Sequence, residues 1–309
     1  MIKTLTKSLR EYKKESWLTV LLSIFEVVFE IVIPLCMAEL IDRGVEGGTM
    51  GMVWKYGIAL LIFALLQLAT GMVSAHVGAR ASAGFAANLR QDMYDRVQTF
   101  AFSNIDKFST AGLVTRLTTD VTNVQNTYQM LLRMCMRAPV SLICAMVMSF
   151  IISPRIAFIY LIALVILSCI LAVIIGHATK YFNAAFPKYD ELNASVQENV
   201  SAIRVVKAYV REDYEKKKFK NASNNIYKIF VKAEKTVAYN NPVMQITVYT
   251  CILLISWVGA KMIVGSGGVL LTTGKLMSLL SYCMTILMNL MMVSMIFVMI
   301  SMSVASAKR

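Results

Sequence analysis

Glu26 and Glu30 stand four residues apart inside an otherwise apolar run, Trp17–Ile41, so on a helix both carboxylates point the same way. A carboxylate in hydrocarbon is costly unless it faces a bundle interior, water or a partner. The pair therefore suits three kinds of chemistry. It is a polar point in a cavity that attracts cationic amphiphiles, a structural ion pair with Arg133 or Arg137, or a proton relay. Arg133 and Arg137 are themselves four apart, and the first two roles coexist if a substrate competes for the pair. Gln245 and Asn289 are further polar points in apolar runs, open to the same cavity or to bridging helices. Met288, Met291, Met292, Met295 and Met299 follow helical spacing beside Asn289. Flexible, polarizable methionines suit a surface that binds many shapes, and serve equally as packing or lipid-facing filler.

Other chemistries find no footing. A phosphate-cradling loop needs two glycines with four residues between them, then lysine and a hydroxyl. The nearest string, Gly268–Leu276 (GVLLTTGKL), has five residues between its glycines and Leu276 after the lysine. Neither an LSGGQ-like string nor a strand-rich α/β region is found, so ATP hydrolysis is not expected from these residues alone. Cys36, Cys135, Cys144, Cys169, Cys251 and Cys283 lie in or beside apolar runs and form no CxxC. They read as small hydrophobes. His76 and His177 have no partner at ligand spacing, so no metal site is expected.

The elements that must position these groups are apolar helices. Of 309 residues 57% are hydrophobic and 16% charged, against about a quarter charged in a soluble domain. Six segments reach the roughly 20 residues that span a bilayer: Trp17–Ile41, Met52–His76, Met134–Ile152, Ile156–His177, Val243–Val264 and Leu276–Met302. The first is too long and too rich in carboxylates for a cleaved signal peptide. With alternate connections assigned to one side, 26 of the 31 Lys and Arg residues fall together, which sets both termini in the cytoplasm. The net charge of +13 is largely this topological bias, and no basic module with interleaved aromatics points to nucleic acid.

The two inner connections are long, poor in Gly and Pro, and rich in helix formers. Span two is expected to continue as helix to about Phe100, and span three to begin near Leu113. Two hairpins then project from the membrane, one with its tip at Ser103–Gly112 and the other at Ala208–Tyr214. Capping and turn residues (Asn104, Asp106, Ser109, Gly112) mark the first tip. Pro34, Pro139 and Pro242 are positioned to bend spans one, three and five. The run Ala75, Gly78, Ala79, Ser82, Ala83, Ala86 suits close helix contact.

At these tips the sequence resembles the transmembrane domain of ABC exporters, the type with six long helices per half-transporter. Phe108, Gly112, Arg116, Asp120 and Gln125 match the family's first cytoplasmic loop. Glu198–Phe219, with Val205-Val206-Lys207-Ala208-Tyr209 and Glu212, matches the second. Ile41-Asp42-Arg43-Gly44, Leu131–Pro139 and Ala305–Arg309 extend the likeness over essentially the whole chain, and bacterial heterodimeric multidrug exporters resemble it most. The resemblance implies an all-α membrane fold with an N-terminal elbow at 1–16 and a transmembrane domain at 17–305. Cytoplasmic loops fall at about 77–133 and 178–242, and a linker to an ATPase domain begins at 306–309.

It also implies that the two tips are coupling helices docking on nucleotide-binding domains. The first comprises Ser103, Asn104, Ile105, Asp106, Lys107, Phe108 and Gly112. The second comprises Ala208, Tyr209, Val210, Arg211, Glu212, Asp213 and Tyr214. Glu26, Glu30, Gln245, Met288, Asn289, Met292 and Met295 are the candidate substrate cavity. The expected function is the permease half of an ATP-driven exporter of hydrophobic or amphiphilic substrates in the plasma membrane. ATP and Mg would bind the partner nucleotide-binding domain, and a second, homologous and different half would complete the transporter. The chain is then either a truncated half-transporter or a permease whose motor is another chain. An ion-coupled carrier on the same scaffold is the rival, and a non-transporting membrane receptor or assembly factor a second one.

Overall fold

The computed structural model describes residues 5–101 and 110–308, all helix and connecting turn with no strand among them. A tightly wound segment, Thr6–Tyr12, leads into α1 (Lys13–Glu39). Then follow α2 (Met50–Gln98), α3 (Thr110–Thr115), α4 (Val121–Met130), α5 (Met136–Ile152) and α6 (Pro154–Ser201). The chain ends with α7 (Ile203–Ala208), α8 (Glu212–Ala238), α9 (Asn240–Ser266) and α10 (Thr273–Lys308). Wide turns at Arg116–Asp120 and Leu131–Cys135 join α3, α4 and α5 into one run. Among the described residues six runs are long and apolar enough to cross a membrane: Thr6–Val45, Met50–Gln98, Gly112–Ile152, Pro154–Ser201, Glu212–Ser266 and Thr273–Ile296. Helix α2, at 49 residues, is about 74 Å long, over twice the ~30 Å hydrocarbon layer. The sequence-expected extension of span two is therefore present.

The chain divides into two compact units. The first comprises Met1–Leu164 with Val248–Arg309. Its seam between α1 and α2 is made close by small side chains. The Ser23 and Ser74 hydroxyls lie 3.0 Å apart, and Ser74 Oγ donates to the Thr19 carbonyl at 3.4 Å. A Cβ at Gly78 would lie 3.0 Å from Thr19 Cγ2. The buried face runs through Ser74, Gly78, Ala81, Ser82, Phe85 and Ala86. Ala79 and Ala83, expected at this contact, face outward, because steps of 3.6 residues carry the seam past them.

Helix α10 is tied in by side chains that donate to backbone carbonyls. Tyr282 Oη reaches Ile31 O at 2.6 Å and Tyr160 Oη reaches Leu279 O at 2.9 Å. Ser278 Oγ donates to the carbonyl of Pro34, inside α1, at 2.5 Å. Both tyrosines are fully buried, and their hydroxyls satisfied, as buried polar groups require. Asp42 accepts from Thr272 Oγ1 at 2.6 Å and from Gly274 N–H at 2.8 Å. That caps the first turn of α10, where unpaired N–H groups favour a carboxylate. Pro139 lies inside α5. Pro242 falls in the first turn of α9, where a missing N–H breaks no helical bond, and the run Glu212–Ser266 is interrupted at Tyr239, just before it.

The second unit, Val165–Thr247, contains most of α6, all of α7 and α8, and the start of α9. Phe230 of α8 sits between two rings of α6, 6.0 Å from Phe182 and 5.6 Å from Tyr189, both edge-on. Ile226 and Ala233, one helical turn to either side, are buried on the same face. This i, i+4, i+7 stripe is the apolar spacing expected of an amphipathic helix.

Candidate functional site

In the first unit Arg137 pairs with both glutamates. Its Nη1 donates to Glu26 Oε1 at 2.8 Å and its Nη2 to Glu30 Oε2 at 3.0 Å. Ser141 Oγ donates to Glu30 Oε1 at 3.3 Å, and Asn289 Nδ2 donates to Ser141 Oγ at 2.9 Å. Glu26 is 8% exposed and lies on Gly71, where a Cβ would stand 3.3 Å from its Oε1. One guanidinium thus bridges two carboxylates, and the cluster, of net charge −1, connects α1, α5 and α10.

Local structure explains why Arg137 and not Arg133 makes these contacts. The wide turn Leu131–Cys135 ends just before α5, and an extra residue in a turn breaks the 3.6-residue phase. The two arginines therefore do not share a face. The Cδ of Arg133 instead lies along Gly78, 3.6 Å from where a Cβ would be. Ser141 is a further member of the cluster that span reading does not single out, and its spacing of four from Arg137 is the sequence signal for it.

The other proposed cavity residues divide. Asn289 is buried and held by Ser141 and by the Thr285 carbonyl at 2.8 Å. Met288 is 64% exposed, since one residue turns a helix by about 100°. Asn289 and Met288 therefore do not line one surface, which corrects that expectation. Met288, Met291, Met295 and Met299 do form one exposed stripe, with Met292 half-buried beside it. Gln245 is exposed on α9, in the second unit.

The second hairpin ends in an abrupt turn. Helix α6 stops at Ser201, Ala202 leaves helical geometry, and α7 runs only from Ile203 to Ala208. Arg211 N–H then donates to Val206 O at 3.0 Å and Val210 N–H to Lys207 O at 3.3 Å. This pair of bonds closes a helix C-terminus with the next residue in the left-handed region, normally glycine. Here that residue is Val210, at φ 52°. The helix at this tip is therefore Ile203–Ala208. The expected Ala208–Tyr214 segment is its last residue, a turn and the start of α8.

Charged side chains brace the tip and leave its apolar ones bare. Lys207 Nζ meets Glu212 Oε1 at 3.1 Å, Lys218 Nζ meets Glu198 Oε2 at 3.0 Å, and Asn199 Nδ2 donates to Glu215 Oε2 at 3.1 Å. Glu212 opens α8, and its carboxyl is held below the usual range, first by its own backbone N–H and then by the Lys207 ammonium. The Arg211 guanidinium lies 5.8 Å from the ring centre of Tyr214. Between the helices is a groove of about 400 Å³ lined by Val196, Val200, Ile203, Val206 and Phe219 among others. Beside it Val205, Tyr209 (75% exposed) and Val210 (81% exposed) project into solvent. Of the first hairpin's residues, Ser103, Asn104, Ile105, Asp106, Lys107 and Phe108 lie outside the described residues, and Gly112 falls in α3. No cluster of three or more His, Cys, Asp or Glu placed to hold a metal occurs among the described residues.

Among the described residues six membrane-length helical runs, five of them of 40 residues or more, define an integral multi-pass helical protein with polar helical extensions. Residues 16–305 match the family of the ABC transporter transmembrane region, and the chain belongs to that family, with its type-1 exporter fold. It is 31% identical over 252 residues to an uncharacterized ABC transporter ATP-binding protein, YfiB, of Bacillus subtilis (strain 168), covering 82% of this chain and 44% of the relative. A similar protein of Mycobacterium tuberculosis (strain CDC 1551 / Oshkosh), MT1311, is 26% identical over 295 residues, 96% of this chain and 50% of its own length. The ATP-dependent lipid A-core flippase of Aromatoleum aromaticum (strain DSM 19018 / LMG 30748 / EbN1) is 23% identical over 207 residues, 66% of this chain and 34% of the flippase. The chain spans about half the length, or less, of these relatives.

Proposed function

We propose that the chain is the permease half of an ATP-driven exporter, moving hydrophobic or amphiphilic substrates out of the cytoplasm. Its hairpin tips dock on a nucleotide-binding domain outside these residues, which would hold the ATP and Mg. A second, homologous and non-identical half completes the pathway, in the plasma membrane with both termini cytoplasmic. The observation that carries this reading is the second tip, a short helix braced by ion pairs that displays Val205, Tyr209 and Val210 to solvent. Bare apolar groups on a rigid, charged support mark a protein contact, and a rigid element transmits displacement. The ATP-binding names of the relatives support a motor of this kind, and the flippase among them supports an amphiphilic substrate. Within the bundle the stripe Met288–Met291–Met295–Met299 is the substrate-facing surface in this reading, while Glu26, Glu30 and Arg137 act as a brace. In this reading the two carboxylates on which the ion-coupled alternative would rest, Glu26 and Glu30, are taken up in pairing with Arg137.

The test is a Val205→Asp/Tyr209→Ala protein, expressed with the nucleotide-binding domain. Loss of an interface anchor costs about 2 kcal/mol or more, roughly thirtyfold in affinity. Copurification of the ATPase domain and substrate-stimulated ATP hydrolysis are therefore expected to collapse while the permease stays folded. Undiminished copurification and stimulation would remove the proposal.

A further inference from the structure

The N-terminal elbow forms a second cavity, unrelated to the hairpin tip. Thr6, Lys7, Leu9, Lys13, Ser16 and Trp17 line an open groove of about 430 Å³ where the chain enters the first membrane helix. Its frame is fixed. Ser8 Oγ donates to Asp92 Oδ2 at 2.7 Å, Asn88 Nδ2 donates to Ser8 O at 3.1 Å, and Arg10 pairs with the same Asp92. Tyr12 is seated over Gly84, where any Cβ would strike its ring. Ser16 Oγ is bonded to the Tyr12 carbonyl and to Tyr128 Oη.

Glu11, exposed between the two lysines in sequence, makes no ion pair with either, and two other acids of this region face arginines. Asp92 holds Arg10 and Ser8, and Glu15 faces Arg80 at 3.3 Å. Lys7 and Lys13, both exposed, have no carboxylate within ion-pair distance among the described residues. Two unneutralised ammonium groups in one preorganised pocket call for an anion, and the pocket's far wall says which. Trp17 heads an exposed apolar stripe on α1 that continues through Leu21, Phe25 and Val28. An anion bound here is thus continuous with a surface suited to an acyl chain, and an interfacial tryptophan marks the depth of lipid headgroups.

We infer that this elbow pocket binds one anionic phospholipid, its phosphate between Lys7 and Lys13 and an acyl chain along Trp17, Leu21 and Phe25. The bound lipid anchors the elbow against α2 and fixes where α1 enters its leaflet. Each lysine close to anionic lipid is worth about fivefold in affinity. The pocket therefore distinguishes phosphatidylglycerol from phosphatidylcholine by more than the average charge of the surface does.

The test uses the full chain with Trp17 as its sole tryptophan (Trp54→Phe, Trp257→Phe), in nanodiscs of phosphatidylglycerol and phosphatidylcholine. Quenching by brominated phosphatidylglycerol, compared with brominated phosphatidylcholine, gives the relative affinity at Trp17. The expected preference is about fivefold or more, falling to near one in Lys7→Gln/Lys13→Gln, restored in Lys7→Arg/Lys13→Arg, and retained in Lys14→Gln. A preference near one in the starting protein overturns the proposal. So does a loss in Lys14→Gln as large as in the double variant, which marks general surface charge. Removal of the preference by millimolar glycerol phosphate assigns the pocket to a soluble anion and also overturns it.

Discussion

The ionic cluster of the bundle and the tip of the second hairpin solve opposite problems. Around Glu26, Glu30 and Arg137 the polar groups are turned inward and paired, while Leu21, Phe25 and Val28 of the same helix face out. At the tip the ion pairs lie on the outside and apolar Val205, Tyr209 and Val210 stand uncovered among them. The first pattern needs no partner beyond hydrocarbon, because lipid accepts apolar surface and rejects charge. The second is unstable against water unless something covers it. In the proposed reading an exposed apolar side chain thus means lipid in one region and a protein in the other, and the polar groups beside it tell the two apart.

The strongest way to break this contrast is to remove the one cation of the cluster. Arg137→Met leaves the buried Glu26 and the half-buried Glu30 without compensation. Breaking a fully buried pair costs about 3–5 kcal/mol, and the partial exposure of Glu30 and Arg137 places the expected cost toward the lower end, about 2–3 kcal/mol. Unfolding midpoints in detergent should fall accordingly, and folded yield with them. Glu26→Gln/Glu30→Gln/Arg137→Met, which removes all three charges, should recover most of the loss. A cost under about 1 kcal/mol for Arg137→Met is what an exposed pair would show. It would mean that water reaches the cluster and that the inward pattern is not a brace.

A smaller effect is expected at Val210, and it sharpens the contrast because stability and coupling should move apart. A left-handed residue with a Cβ costs about 1–2 kcal/mol, which glycine avoids while adding roughly 0.5–1 kcal/mol of chain entropy. Val210→Gly should therefore slow hydrogen exchange at the C-terminal amides of α7, by about the net 0.5–1 kcal/mol. It also removes an 81% exposed apolar side chain, so ATPase coupling should weaken. Improved order with improved coupling would show that the valine does not face a partner.

Much of this arrangement is legible in the residues. Apolar run lengths locate the six spans, the lack of Gly and Pro predicts the continuation of α2, and i, i+4 spacing brings Glu26 to Glu30. What is not legible has local causes. The wide turn Leu131–Cys135 contains no residue that announces it, yet it decides that Arg137 rather than Arg133 faces the acids. Ala202 is a strong helix former, so the break before α7 cannot be read from propensity, and Val210 is among the last residues expected in a left-handed turn. Both are set by closing the hairpin, which brings Asn199 to Glu215 and Glu198 to Lys218. The adjacent Met288 and Asn289 are a different case. Their separation by one residue already placed them on different faces.

The smallest expected effect concerns pH at the tip. The Glu212 carboxyl is held below its ordinary value of 4.5, mainly by its own backbone N–H and then by Lys207. A carboxyl with a lowered folded value contributes order that is fully present above its unfolded value and is lost as pH falls through the folded one. Protection of the α7 amides, corrected for intrinsic exchange, should therefore be flat from pH 7.5 to about 5 and decline below about 4.5. Glu212→Gln should remove that acid decline, and high salt should shrink the Lys207 share, since an exposed pair is screened. Glu26, the buried partner of Arg137, is shielded from salt far more than this pair. If salt loosens both regions equally, the distinction between an inward-paired cluster and an outward-braced tip fails at its electrostatic root.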